Sequence, residues 1–172
     1  MTTGPGDPAS FVTSADLFQI AERSPSDLDA SRLLHAFHGE QVARYGFADP
    51  IEPSSGEYAA PNGVFAVAYH GAALVGCGGY RWFDRAACTV EIKRLYVVPE
   101  SRGLGAGRAL LSWLEAHAIG AGAQRAILET GVRNTAALGL FTSAGYQPVD
   151  RYVEGRDPDI NRAFARSLTG DR

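Results

Sequence analysis

Apolar residues at helical spacing mark the first predicted helix. We expect Ser26 to cap it by accepting a hydrogen bond from the Asp29 amide, and the helix to run to about Tyr45, before Gly46. Its inward face carries Ala30, Leu33, Leu34 and Phe37, and the same face also carries His38, Gln41 and Tyr45. Because polar groups on an inward face need partners, these last three residues are either satisfied core residues or the lining of a binding site.

Apolar and β-branched runs predict the strands. The predicted strands are Leu17–Ala21, Val64–Tyr69, Ala73–Arg81, Cys88–Val97, Ala126–Thr130 and two weak ones near Pro148–Val153 and Asn161–Leu168. Short connections make the second to fourth strands an antiparallel meander. One further helix begins near Gly107, and another spans Asn134 to about Ser143. This order predicts a mixed α/β fold in which helices cover both faces of a mostly antiparallel sheet.

Length and composition exclude several classes of protein. The chain has 172 residues, 45% of them hydrophobic, and 16 basic against 19 acidic residues give a formal charge of −3. This length suits one domain, which we place at residues 16–172 after a flexible tail, 1–15. No apolar run approaches the roughly 20 residues of a membrane helix, and the acidic balance argues against nucleic acid as the main partner.

The N-terminus and the cysteines point to the cytoplasm. Met1–Ser10 lacks the basic start and apolar core of a secretory signal. Cys77 and Cys88 form no metal-ligand pattern and lie in apolar stretches, so we expect two buried, reduced thiols and no metal site.

The segment Arg102-Gly103-Leu104-Gly105-Ala106-Gly107-Arg108 is the most informative of the chain. It follows a predicted strand and opens a helix, and its glycines let backbone amides face a ligand. Those amides, the positive end of the helix and two arginines together suit a pyrophosphate. The segment lacks the Gly-Lys-Ser/Thr of a Walker loop and the GxGxxG spacing of a dinucleotide site, and two arginines make a loop that binds nothing a poor explanation.

Two motifs resemble those of the GNAT superfamily of N-acetyltransferases. Arg102 to Gly107 meets the R/Q-x-x-G-x-G/A pattern of motif A, and Asn134 to Tyr146 is similar to motif B, N-x-x-A-x-x-L-Y-x-x-x-G-F/Y. The resemblance implies a sheet that is splayed at two parallel strands and binds acetyl-CoA between them. It also implies donor-binding roles for Leu95, Tyr96, Val97, Arg102, Gly103, Leu104, Gly105, Ala106, Gly107, Arg108, Asn134 and Phe141. Asn134 also suits a helix N-cap, and the two roles are compatible.

The resemblance also suggests the acid–base groups. Glu91 lies where several family members carry a catalytic glutamate, so we expect it to act as general base; its alternative role is a cross-strand salt bridge with Arg81 or Lys93. Many members use a motif B tyrosine as the acid, but Phe141 occupies that position here. Tyr146 or Tyr152 could protonate the leaving thiolate, although both suit the core equally well.

The sequence therefore predicts an acetyl-CoA-dependent N-acetyltransferase. We expect a primary amine of a small molecule or peptide to attack the acetyl group directly. His38, Gln41 and Tyr45 are expected to line the site of this amine. The alternative is an acyl-CoA-binding regulatory module with little catalysis, which Phe141 favours. A homodimer could form if the C-terminal strand, Asn161–Leu168, pairs with a second copy.

Overall fold

Seven strands form one mixed sheet, and three helices pack against it. A computed structural model describes residues 17–51, 53 and 56–170, so the predicted flexible tail, 1–15, lies outside the described residues. The elements are β1 (Gln19–Glu22), α1 (Leu28–Tyr45), β2 (Gly63–His70), β3 (Ala73–Asp84), β4 (Thr89–Val97), α2 (Ala106–Gly120), β5 (Arg125–Gly131), α3 (Thr135–Ser143), β6 (Gln147–Val149) and β7 (Asn161–Ser167). Among the described residues, no helix is long and apolar enough to cross a membrane.

The sheet order is β1-β2-β3-β4-β5-β7-β6, and β4 with β5 is its parallel pair. The other neighbours are antiparallel. This arrangement confirms the predicted fold class. Strand β7 pairs with β5 on one side and, at Ala163–Ala165, with β6 on the other, so the middle of the edge that would let it pair with a second copy is covered.

Successive side chains of a strand point to opposite faces of the sheet, so the hydrophobic core is divided between the two faces. On one face, α1 packs through Leu33 and Leu34 against Phe65 of β2. On the other, α2 packs through Leu111 and Leu114, and residues of α3, β4 and β5 join the same cluster. The paired, N-terminal ends of β4 and β5 belong to this second cluster, so the core under α2 and α3 fixes them.

Two local predictions need correction. Asp27, rather than Ser26, caps α1, because its carboxylate accepts the Asp29 amide at 3.0 Å while Ser26 lies one residue further from the helix. Cys88 is half-buried rather than buried, because it lies in the turn before β4 with a φ of +48°. Cys77 is buried and both thiols are free.

Gly79 of β3 is closely packed against β2 and the segment before it. A Cβ at this position would lie 2.8 Å from Phe65, from Tyr58 and from the Val64 carbonyl oxygen. In contrast, a Cβ at Gly39, on the exposed side of α1, meets nothing within 4 Å. Only glycine therefore fits at residue 79, whereas residue 39 accepts a side chain.

We predict opposite effects of alanine at these two glycines. Gly79→Ala should lower the free energy of unfolding by about 1–3 kcal/mol, because backbone and ring atoms must move apart. Gly39→Ala should raise it by up to about 1 kcal/mol, because alanine is the better helix former. Urea unfolding of both variants measures the difference, and equal stabilities would contradict the packing described for Gly79.

Candidate active site

Strands β4 and β5 separate partway along their length. Their parallel pairing runs from Thr89 with Arg125 to Ile92 with Leu128 and then stops. One extra residue is accommodated in β4 at Arg94, whose φ is +59°, while the register against β3 shifts. The Arg94 guanidinium donates to two carbonyl oxygens of the segment after α1, each at 3.0 Å. The bulge thus turns β4 away from β5 and opens a V between them.

The far side of the V presents an open strand edge. Residues Leu95 to Val97 of β4 still pair with β3, but their other edge has no strand partner among the described residues. Unpaired amides and carbonyls on an edge can bind a peptide-like chain as an added strand. This edge can therefore bind a ligand that contains amide groups.

A cavity of about 250 Å³ lies along this edge and ends at the glycine-rich loop. Of the residues predicted to bind the donor, Leu104 is exposed at the surface and does not line this cavity. The others all line it: Leu95, Tyr96, Val97, Arg102, Gly103, Gly105, Ala106, Gly107, Arg108, Asn134 and Phe141. The fold thus brings together residues from β4, the loop, α2 and α3 around one space.

The loop has the backbone geometry of an anion site. Gly103 and Gly105 have φ values of +78° and +95°, which only glycine adopts without strain. Gly105 is the N-cap of α2, and no side chain satisfies the amides of the first turn. These free amides lie at the positive end of the helix dipole and suit a phosphate group.

Arg102 spans the mouth of the same cavity and is held by α1. Its guanidinium contacts both carboxylate oxygens of Glu40, at 2.7 and 2.9 Å, and donates to the Val97 carbonyl oxygen at 2.9 Å. Glu40 is shared with Arg44, which lies 2.9 Å away. A carboxylate therefore occupies the place next to Arg102 where an anionic ligand would have to bind.

Asn134 and Phe141 lie where this first cavity meets a second one. The Asn134 side chain caps α3 by accepting the Ala137 amide at 3.2 Å, so the N-cap role is present. Phe141 is buried and packs edge-on against Tyr146. Asn134, Phe141 and Leu95 line both cavities, which therefore meet at the opening between β4 and β5.

The second cavity, of about 130 Å³, lies on the α1 side of the V. Its lining is strongly charged, with Arg44, Asp49, Glu91, Lys93, Arg94, Glu129 and Arg156 among its residues. Glu91 and Ile127 are register partners, so Lys93 and Glu129, each two residues further along its strand, point to the same face. This charged group lies directly beyond the last paired residues of the two strands.

Glu91 is only 1% exposed and is surrounded by donors. Its Oε2 accepts from Arg81 at 2.9 Å, and its Oε1 accepts from the Tyr152 hydroxyl at 3.0 Å. Lys93 is more distant, with Nζ 4.0 Å from Oε1. The salt bridge with Arg81, which was the alternative role of Glu91, is present, and Glu91 also lines the cavity.

Tyr152 is the one of the two predicted acid tyrosines that approaches the site. Burial, and then the neighbouring Glu91 carboxylate, raise its pKa well above the ordinary value of a tyrosine. Tyr146 is instead a core residue on the opposite face of the sheet, where its hydroxyl donates to Glu115 at 2.9 Å. Tyr146 is therefore excluded as the acid and has the core role that was its stated alternative, because the turn after α3 directs its ring toward α2.

Glu129 is a second carboxylate of this cavity, and it is more accessible than Glu91. Its Oε1 accepts from Arg156 at 3.2 Å, and Arg156 also lies 3.6 Å from Asp49. Among the described residues, no group donates to Oε2 of Glu129. Burial raises the pKa of Glu129 above its ordinary value, although Arg156 opposes this shift. A carboxylate with a raised pKa and a free oxygen is suited to accept a proton.

The three predicted substrate residues of α1 differ in position. Gln41 and Tyr45 line the second cavity, but His38 lines neither of the two cavities. Tyr45 lies against Gly131, and its hydroxyl accepts the Arg133 amide at 3.2 Å. The end of α1 is thus attached to the end of β5, and this attachment closes one side of the cavity.

Comparison with known proteins agrees with this geometry. The sequence profile of the acetyltransferase (GNAT) family matches residues 29–146. An uncharacterized N-acetyltransferase of Schizosaccharomyces pombe is 30% identical over 146 residues, which cover 81% of this chain and 88% of the relative.

Solved structures share the fold at lower identity. An acetyltransferase of the GNAT family from Staphylococcus aureus superposes with a TM-score of 0.72 at 18% identity, covering 88% of this chain and 99% of the other. An aminoglycoside 6'-N-acetyltransferase in complex with coenzyme A gives a TM-score of 0.67 at 15% identity, covering 90% and 99%.

The chain belongs to the acetyltransferase (GNAT) family. It is therefore an acyltransferase, with acetyl-CoA as the cosubstrate that enzymes of this family use. Among the described residues, no group of three or more His, Cys, Asp or Glu side chains could hold a metal ion.

Sequence reasoning missed the residues that reach this acetyltransferase's site from outside the motifs. Glu129 follows directly after the three buried residues of β5, and a charged residue there is the signal that could have identified it. Glu40, Asp49 and Arg156 come from α1, from the segment after it and from the connection between β6 and β7. No spacing in the sequence relates these three positions.

Proposed function

We propose that this acetyltransferase transfers the acetyl group of acetyl-CoA to a primary amine of a small molecule while both are bound. The observation that carries the proposal is that the two cavities meet where β4 and β5 separate, along a shared wall that includes Leu95, Asn134 and Phe141. Acetyl-CoA, when bound, supplies the acyl group as a thioester. For the reaction to proceed, a group must accept the proton of the amine, and the amine must be held facing the thioester carbonyl carbon.

The first cavity, which lies along the edge of β4, is the donor-side cavity of this proposal, and both of its ends suit coenzyme A. The open edge of Leu95–Val97 can pair with the amide groups of the pantetheine arm, as an added strand does. The amides between Gly103 and Gly107, together with Arg102 and Arg108, can hold the pyrophosphate. A Cβ at Gly107 would lie 3.2 Å from Leu140, so a larger residue would narrow the cavity between α2 and α3.

Glu129 is the stronger candidate for the group that takes the amine's proton. An alkyl amine titrates near 10.4, so at neutral pH it arrives as an ammonium ion and must lose a proton before attack. Glu129 has a free oxygen and a raised pKa, whereas both oxygens of Glu91 already accept hydrogen bonds from Arg81 and Tyr152. In this account Glu91 anchors Tyr152 and Arg81 at the base of the cavity.

Departure of the thiolate needs less assistance from an acidic side chain than attack by the amine needs from a base. A thiol with a pKa of about 8.5 is a good leaving group, so a strong acid at the position of Phe141 is not required. Tyr152 contacts Glu91 of the site, but its hydroxyl proton is directed at that carboxylate. We therefore assign Tyr152 to positioning of Glu91 and the final protonation of sulfur to water.

The second cavity is the acceptor-side cavity of this proposal, and its size favours a small amine over a peptide as the substrate. Arg156 bridges Asp49 and Glu129 across its opening, and the Arg133 side chain donates to the Arg44 carbonyl oxygen at 2.9 Å. These links join the connection before β7 and the turn after β5 to the end of α1. A peptide would have to displace them, whereas a small amine fits within about 130 Å³.

We predict that Glu129→Gln lowers kcat about 10²-fold at pH 7 and removes the acidic limb of the profile of kcat/KM against pH. In the wild-type enzyme this limb should lie above 4.5, the ordinary pKa of a glutamate, because burial raises the pKa of Glu129. Below that pKa the carboxylate is protonated and cannot accept the amine's proton. Initial rates with a panel of small amines from pH 5 to 9 measure both effects.

Glu91→Gln is the matched control for this experiment. It should retain an acidic limb, because Glu129 is unchanged. A limb that persists in Glu129→Gln and disappears in Glu91→Gln would assign the base to Glu91. Acetyl-CoA affinity of both variants establishes that the fold and the donor site are intact.

We also predict that Glu40→Gln binds acetyl-CoA about twofold to fivefold more tightly than the wild type, because Arg102 is released for the phosphates and a nearby negative charge is removed. Calorimetric titration at low salt measures this change, which should shrink in high salt. Glu100→Gln, in the same loop region, is the control for net charge. Equal affinities of Glu40→Gln and Glu100→Gln would contradict a specific role of the ion pair with Arg102.

A further inference from the structure

Lys93 is the only lysine of the chain, since every other one of the 16 basic residues is an arginine. It lies on β4 and lines the acceptor-side cavity. Guanidinium groups stay protonated and are poor nucleophiles, so Lys93 carries the only side-chain amine in the molecule that could be acylated. That amine lies in the cavity where we propose that an amine is acetylated.

The ammonium group of Lys93 is held only loosely. Among the described residues, its one ion-pair contact is Oε1 of Glu91, at 4.0 Å, and that oxygen already accepts from Tyr152. No described group lies within hydrogen-bond distance of Nζ. The flexible four-carbon stem of a lysine therefore lets this amine move within the cavity.

Lys93 is also close to both parts of the transfer site. Leu95, where the two cavities meet, is two residues further along β4, across the bulge at Arg94, so their Cα atoms are at most about 7 Å apart. A lysine side chain spans a similar distance. Glu129 lines the same cavity and points to the same face of the sheet, so a proton acceptor is at hand for this amine.

We infer that Lys93 is an internal acetyl acceptor, which becomes acetylated by bound acetyl-CoA when no amine substrate fills the cavity. This inference rests on the proposed function. The ammonium group loses one proton to Glu129, and the resulting amine attacks the thioester carbonyl carbon. A C–N bond forms, the C–S bond breaks, and the second proton of the amine passes through water to the departing sulfur. The products are an amide on Lys93 and free coenzyme A.

Acetylation at this position should also reduce turnover. It removes the positive charge beside Glu91 and adds an acetyl group within a cavity of about 130 Å³. The modified enzyme should therefore bind acetyl-CoA on the donor side but acetylate an added amine more slowly. The reaction would make the enzyme's activity depend on the ratio of acetyl-CoA to amine substrate.

The experiment incubates the full-length protein with acetyl-CoA alone and follows its intact mass. We expect one added acetyl group, assigned to Lys93 by digestion at acidic residues and mass spectrometry. Because binding brings the two groups together, the modification should be at least about tenfold faster in the folded protein than in the same chain unfolded in urea. An excess of amine substrate should slow it.

Two variants test the assignment. Lys93→Arg should gain no acetyl group inside the chain, and Glu129→Gln should be modified more slowly than the wild type. Acetylation confined to the N-terminal amine, or equal rates in the folded and unfolded chains, would overturn the inference.

The same samples also test the proposed function, because acetyl-CoA binding and acetylation of an added amine are measured beside the modification of Lys93. A wild-type protein that acetylates an added amine but leaves Lys93 unmodified overturns the internal acceptor alone. A protein that neither binds acetyl-CoA nor acetylates any amine overturns the proposed function as well.

Discussion

The separation of β4 from β5 after the pair Ile92 and Leu128 is the constraint on which the rest of the site depends. Up to that pair, residues of both strands pack into the core under α2 and α3. Beyond it, the bulge at Arg94 leaves one edge of β4 without a strand partner. The same opening therefore provides an edge for a ligand with amide groups and a cavity beside it.

Charge then gives the two sides of the opening different properties. On the donor side, free amides of a helix N-terminus and two arginines favour an anion, and Glu40 competes for one of those arginines. On the acceptor side, Glu91 and Glu129 differ in their surroundings although they face the same cavity. One carboxylate is enclosed by donors and the other keeps a free oxygen, so similar residues can serve different purposes.

The sequence predicted the fold class and the residues around the donor cavity because these depend on local patterns. Glycines needed for positive φ, the strand before them and the helix after them are contiguous in the chain. The salt bridge of Glu91 with Arg81 was among the predictions, because Arg81 lies on the neighbouring strand. The contacts of Tyr152 with Glu91 and of Arg156 with Glu129 were not, since both residues come from a connection whose path follows from tertiary packing alone. The two roles left open for Tyr146 could not be separated either, because its position in the motif does not determine which core its ring enters.

The central claim is that the open edge of β4 recognises the amide-containing arm of coenzyme A. Calorimetric titration with acetyl-CoA and, separately, with NAD tests it most directly, because NAD has an adenosine and a pyrophosphate but lacks that arm. The account predicts saturable one-to-one binding of acetyl-CoA and much weaker binding of NAD. Equal affinities for the two ligands, or no binding of acetyl-CoA, would contradict it.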